Sequence, residues 1–317
     1  MSMRALVFTT LLGLTAPAAF ASEDIPDQYP ESALYSKPVE VIPHVWSAIG
    51  ATSPPTYENF GHNNNLSFVV TGDGVIVVNG GAAFLLAKAL HDEIKKITDQ
   101  PVKLVINENG QGHAMLGNSY WKTQGVPILA HEDAKTAFED DGPQTLQRHK
   151  TILKERADGT ELVGPTDTFT DKKEIEMGDF RIEVLNLGPA HSPGDIAVWL
   201  PEKKLVISGD MAFHERVPPI FAETGTKAWL ESWENFEALG ALYVIPGHGH
   251  PTNMDQVRRY TKDYVTYLRG KIAEHIENGG TLDDAYYVDQ SPYAHLDTFK
   301  ELATRNAGRV YEQMEFE

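Results

Sequence analysis

Three short turns constrain this chain more than any other feature. Each is rich in Gly or Pro, follows a run of apolar, largely β-branched residues, and carries a side chain able to bind a metal. His191 stands in Gly188-Pro189-Ala190-His191-Ser192-Pro193-Gly194-Asp195, Asp210 in Val206-Ile207-Ser208-Gly209-Asp210, and His248 in Ile245-Pro246-Gly247-His248-Gly249-His250. Glycine lets the backbone approach a ligand closely, and open α/β architectures gather their ligands beyond the carboxyl ends of the strands. A fourth turn follows the apolar run Val102–Ile106 and reads Glu108-Asn109-Gly110-Gln111-Gly112-His113, with Leu116-Gly117-Asn118 just beyond. Because all four follow strand ends, His113, His191, Asp210 and His248 are expected to converge on one cleft.

The rest of the chain supplies the strands and helices for such a frame. β-Patterned runs begin at Val39, and Leu66–Val70 and Val75–Val78 flank Thr71-Gly72-Asp73-Gly74, a strong hairpin signal. Ala82–Ile97 has apolar residues at helical spacing (Leu85, Leu86, Leu90, Ile94, Ile97), as a surface helix requires. Helices are also predicted over 114–123, 131–139, 226–239, 254–278 and 296–313, and strands over 126–130, 182–187, 196–200, 204–208 and 242–245. The stretch 139–165, with Asp140, Asp141, Gly142 and Gly159, has the composition of a surface insertion, expected to be an active-site flap. Trp121, Trp199, Trp229 and Trp233 fall at helix or strand positions and are expected in the core. Strands and helices alternate in two similar successions, which predicts two βα halves packed sheet on sheet.

The motifs, in this order, resemble those of the metallo-β-lactamase superfamily, and the likeness runs from Val39 to about Tyr264. The resemblance implies an α/β fold, a four-layer αββα sandwich, over residues 39–317 as a single domain with C-terminal helices. The exact wording of the motifs is most similar to periplasmic hydrolases encoded with thiosulfate-oxidation or quinoprotein genes. The superfamily pattern is His-x-His-x-Asp-His, a later His, a bridging Asp and a final His. This chain departs from it in the first motif: Glu108 stands for the first His, Gly110 for the second and Gly112 for the Asp, and only His113 is kept. Asn79, in Val78-Asn79-Gly80-Gly81, replaces an Asp and lacks the charge that would orient a ligand histidine.

The retained residues still make a ligand set. By the resemblance, His113, Asp210 and His248 form one metal position, and Glu108, His191 and the shared Asp210 a weaker one, so one or two divalent ions are expected. The chain has no Cys, so His and carboxylate must do the binding. Two histidines and a carboxylate suit catalytic zinc, and the extra carboxylate moves preference toward manganese or iron. In this family a metal-held hydroxide attacks a carbonyl, sulfonyl or phosphoryl centre, and the missing Asp at Gly112 is its usual partner. Glu108 and Asp210 are therefore the catalytic candidates, with Glu108 either a ligand or a substitute base. His62, in the Asn-rich run Gly61–Asn65, is the next candidate, read as a pocket residue along with His214 and His250. His44, His91, His131, His149, His275 and His295 receive no role.

The implied function is hydrolysis of a small ester, thioester, lactone or related substrate. The alternatives are a non-hydrolytic metal- or ligand-binding accessory of a periplasmic redox or sulfur pathway, and iron-dependent sulfur oxidation. A net charge of −18, with 45 acidic against 27 basic residues, leaves no basic stripe for nucleic acid. Arg4, the apolar Ala5–Leu14 and the small-x-small Ala19-Phe20-Ala21 read as a signal peptide over 1–21. That predicts export to the periplasm with no membrane insertion after cleavage, and residues 22–38 as an extended leader. Nothing in the sequence speaks to oligomeric state.

Overall fold

The computed structural model describes residue 29 and residues 31–317, so the signal-peptide reading of 1–21 lies outside the described residues. Two mixed sheets form the centre. The first holds β1 (Val39–Ile42), β2 (Val45–Ala48), β3 (Leu66–Val70), β4 (Val75–Val78), β5 (Val102–Ile106), β6 (Ile128–His131) and β7 (Asp167–Phe169), side by side in chain order. The second has the order β12-β11-β10-β9-β8, from β8 (Lys172–Met177), β9 (Phe180–Leu185), β10 (Ala197–Leu200), β11 (Leu205–Phe213) and β12 (Tyr243–His248). The predicted hairpin pairs β3 with β4 antiparallel, and β4, β5 and β6 then run parallel, joined by helical crossovers.

Period-2 alternation divides each strand between two cores. Ile76 and Val78 of β4 point between the sheets with Ile182, Val184, Val198, Leu205 and Ile207, while Val75 and Val77 face the outer helices. On that side lie α1 (Phe84–Ile97), α2 (Gly112–Met115), α3 (Asn118–Thr123) and α4 (Glu132–Leu153). The far side of the second sheet carries α5 (Thr226–Ala238), α6 (Met254–Val257), α7 (Asp263–Glu277), α8 (Leu282–Ala285) and α9 (Phe299–Met314), which share a core with Trp199, Phe213, Trp229 and Trp233. The result is the expected αββα sandwich, and the four tryptophans named above are buried. Among the described residues no helix is long and apolar enough to cross a membrane.

β7, β8 and α8 have no counterpart among the predicted elements, and three predicted elements take a different course. The helix predicted over 114–123 breaks at Leu116-Gly117, where the Gly117 N–H bonds to the Gly81 carbonyl and locks the loop after β4 onto the loop after β5. The helix predicted over 254–278 is interrupted by a π turn at Arg258–Lys262, where the Thr261 hydroxyl pairs with the backbone of Phe213 at the end of β11. The most consequential is α4. Residues 139–153 are not a surface insertion but the body of a 22-residue helix that runs through Pro143. Asp140, Asp141, Gly142 and Pro143 read as breakers, and an interior proline costs about 3 kcal/mol. The buried stripe Ala134, Phe138, Gly142, His149 and Leu153 outweighs that cost, since Ala134 and Phe138 pack on Ala114, Met115 and Leu116.

Candidate metal centre

Asp210 and His248 do not follow their strands; both belong to them. β11 continues through Asp210 to Phe213, and His248 is the last residue of parallel β12. The ladder slips at Gly209, which adopts φ +52°, and this irregularity turns the Asp210 side chain out of the strand pairing. Gly209 is also required for space: a Cβ there would lie 2.5 Å from Glu108 Oε2, and one at Gly247 would lie 2.3 Å from Asp210 Oδ1. Asn65 holds this edge in place, its side-chain N–H groups donating to the carbonyls of Pro246 and Gly249.

The turn after β5 is built with equal care. Asn107 and Asn118 exchange side-chain hydrogen bonds of 3.1 and 2.9 Å, and Asn107 also donates to the Ala114 carbonyl. His113 sits in the first turn of α2. Asn79, with φ +74°, accepts a hydrogen bond from the Glu108 N–H at 3.1 Å, so it orients the Glu108 backbone rather than a ligand imidazole. His191 hangs in the loop between β9 and β10, where Asp195 caps the turn by accepting from the Ser192 N–H and hydroxyl. Burial, then the nearby Asp210, pushes the Asp195 carboxyl up to about 8.

All four expected residues do converge. Asp210 is the hub: Oδ1 lies 3.3 Å from His248 Nε2, and Oδ2 lies 3.5 Å from both His113 Nε2 and His191 Nδ1. Asn109, for which the sequence reading had no role, donates to Oδ2 at 3.2 Å. His113, Asp210 and His248 each offer one ligand atom, and these atoms all lie within 4.8 Å of one another. His248 is prepared for such a role. Its Nδ1 hydrogen-bonds the Asn63 carbonyl, which fixes the tautomer and leaves Nε2 bare toward Asp210, and its ring stacks on Phe213.

Glu108 and His191 do not complete a second three-ligand group among the described residues. Glu108 is buried beneath the cleft, with Oε1 taken by His113 Nε2 at 3.0 Å and Oε2 against Gly209 without a hydrogen-bond partner. His191 is ringed by Phe213, Phe221 and Trp229, and its Nε2 is buried and unpartnered.

The charges suit a cation. Burial would raise Asp210, but the imidazoles of His248, His113 and His191 hold its carboxyl well below the usual range. Burial pushes His191 and His248 down to about 4. Burial acts the same way on His113, yet the carboxylates of Asp210 and Glu108 overcome it and raise its pKa. Burial, then Asp210, raises Glu108. The buried Asp210 charge thus lies among imidazoles that a divalent ion could bridge, with loss of any proton they carry. Asp210 Oδ1 is buried without a hydrogen-bond partner beside His248 Nε2, an arrangement that fits a cation between them.

The three-atom set lies at the bottom of a cavity of about 890 Å³. His191, Gly112, Arg216 and Phe221 also line it, and α4 forms one wall with Asp133, Asp140, Thr145, Arg148 and His149. Of the histidines read as pocket residues, none lines it. His62 is buried, its Nδ1 taking the Tyr35 N–H, because the Asn-rich run turns inward. His214 Nδ1 donates to the His250 carbonyl and its ring rests on Tyr260, while His250 pairs with Glu215 at 2.6 Å on the outer side. The residue that was overlooked is His149. No spacing to His113 marks it, because it reaches the cavity from a helix whose course the local composition obscures.

Residues 112–248 match the family model described as the metallo-beta-lactamase superfamily. A linear primary-alkylsulfatase of Pseudomonas sp. (strain ATCC 19151) is 22% identical over 251 residues, 67% of this chain and 47% of that protein, so the chain spans about half the relative's length. A type 2 metallo-beta-lactamase of Bacteroides fragilis is 25% identical over 193 residues, 57% of this chain and 70% of the other. Among solved structures, a metallo-beta-lactamase from Pontibacter korlensis superposes with a TM-score of 0.59 at 19% identity, covering 72% of this chain and 98% of its own.

Proposed function

We propose that this chain, which has the metallo-β-lactamase fold, is a metal-dependent hydrolase of that superfamily acting on a small ester-like substrate. The observation that carries the reading is the His113–Asp210–His248 set, with ligand atoms within 4.8 Å, at the floor of an open cavity. Two imidazoles and a carboxylate are a sufficient protein contribution to a catalytic zinc, and such a set leaves a coordination position for water or substrate. An ion held there would supply Lewis acidity and bring the pKa of water to about 7. Asn63, through its carbonyl, and Asn109, through its amide, hold His248 and Asp210 in register for that ion.

Nothing about the cavity is restricted to one acyl class. Arg148, Arg216 and Arg305 line it together with Asp133, Asp140, Asp141 and Glu223, so the wall offers polar partners of both signs. The alkylsulfatase relative makes a sulfate ester a sensible first test beside carboxylic esters, thioesters and lactones. Export to the periplasm, as the signal-peptide pattern over residues 1–21 suggests, belongs to the same proposal.

The test is turnover of a panel of p-nitrophenyl esters, a thioester, a lactone and an alkyl sulfate by zinc-, manganese- and iron-loaded protein. Turnover of at least one, lost on chelation, restored by metal and absent in His248→Ala, is the expected result. Activity indifferent to chelation, or none with any metal, would overturn the reading. Tight iron binding with sulfur-compound oxidation would favour the oxidative alternative.

A further inference from the structure

Position 110 and position 112 are closed to side chains by α4. A Cβ on Gly110 would lie 2.5 Å from the Ala134 carbonyl oxygen and 3.2 Å from the Phe138 nitrogen, both backbone atoms of the helix. One on Gly112 would lie 2.7 Å from Thr145 Cγ2 and 2.9 Å from His149 Cε1. The two glycines are therefore complementary to a helix that packs onto the turn. The ground beside His113 is not empty; an imidazole occupies it.

That imidazole is suited to work there. His149 is buried yet lines the same cavity as His113, Asp210 and His248. Its Nδ1 is engaged by the carbonyl of Thr145, one turn back in α4, at 3.0 Å. A nitrogen that meets a carbonyl carries the hydrogen, so Nε2 is the bare acceptor. The other imidazoles and carboxylates named above are placed differently. Glu108 is below the floor and bonded to His113, and His191 is packed among three aromatic rings. Asp133, Asp140 and Asp141 are solvated on the exposed side of α4. His149 is also outside the three-atom ligand set, while its ring lies against Gly112, the residue before His113.

We propose that this chain holds a single metal ion, at His113, Asp210 and His248, and that His149 Nε2 accepts a hydrogen bond from the water that attacks the substrate. The inference rests on the hydrolase reading above for its second half and on geometry alone for its first. Helix α4 thus does two things: it excludes side chains where further ligands would have to stand, and it brings in the acceptor that orients water.

Metal content of zinc-saturated, desalted protein tests the first half. One ion per chain is expected, and two would overturn it. For the second half, His149→Ala should lower kcat about 100-fold, the low end of what a positioned proton acceptor contributes. KM and zinc affinity should stay within about threefold. His149→Gln, whose amide oxygen also accepts, should recover part of kcat and guards against a folding defect in the alanine variant. A readout independent of turnover is the visible spectrum of cobalt-loaded protein, which should shift in His149→Ala because the water beside the ion loses a partner. Unchanged kcat and spectrum would sink the role of His149; a large loss of metal affinity would make it a ligand instead. Should the parent hydrolyse nothing, the hydrolase reading fails, while metal count and cobalt spectrum still decide this one.

Discussion

Asp210→Asn is the perturbation that tests the architecture of the centre most directly. The substitution keeps the shape of the side chain and removes one charge from a position that three imidazoles approach to 3.3–3.5 Å. A unit charge pair at ~3.5 Å and an effective dielectric of ~20 interacts by roughly 5 kcal/mol. Desolvation returns part of that, and about 3 kcal/mol net is a reasonable share for a charged, hydrogen-bonded contact. At about 1.4 kcal/mol per decade, zinc affinity should fall more than 100-fold. Competition against a chromophoric chelator measures it, with circular dichroism to confirm the fold. The internal control is His191→Ala, because His191 touches Asp210 but is not one of the three mutually close ligand atoms. It should cost no more than about tenfold, the lower bound for an outer partner of a metal ligand. If Asp210→Asn binds zinc within threefold of the parent, or His191→Ala loses more than Asp210→Asn, the hub assignment is wrong.

Three further outcomes follow from the same geometry. Glu108→Gln should weaken zinc binding about 10- to 100-fold, since Glu108 bonds His113 without joining the ligand set; chelator competition reads it, and unchanged affinity would leave Glu108 a purely structural group. Gly110→Ala should cost about 1–3 kcal/mol in urea unfolding, because the new methyl meets a backbone oxygen of α4 that cannot turn aside. Burial holds His62 at about 4 against an ordinary 6.5, so the unfolded chain binds this proton more readily and stability falls as pH drops through that window. Its share is about 2 kcal/mol between pH 7 and 5, and it should vanish in His62→Asn, as urea titrations at the two pH values would show.

How much of the site was legible depended on whether its parts were local. His113 and His248 carry their signal in their own turns, and Asp210 carries it in Ser208-Gly209-Asp210, because glycine at the turn and a ligand beside it are neighbours in the chain. Glu108 stood out by position, yet its actual bond to His113 and its burial against Gly209 depend on β11 lying beside the turn. The pocket roles expected for His62, His214 and His250 did not materialise. His62 is drawn inward with its Asn-rich loop and bonds Tyr35, and His214 and His250 leave the strand ends facing Tyr260 and Glu215.

The sequence by itself determined most of the strands, their alternation between two cores, and the residues His113, Asp210 and His248 that come together, since period-2 burial and Gly-rich turns are written residue by residue. Only the tertiary structure decided what α4 does. Asp140, Asp141, Gly142 and Pro143 oppose a helix locally, and the stripe Ala134, Phe138, Gly142, His149 and Leu153 forms one because Ala114, Met115 and Leu116 are there to bury part of it. Packing energy from residues some 20 positions away overrode local propensity, and with it went the flap. In the flap's place stands a wall that closes positions 110 and 112 and sets His149 on the cavity.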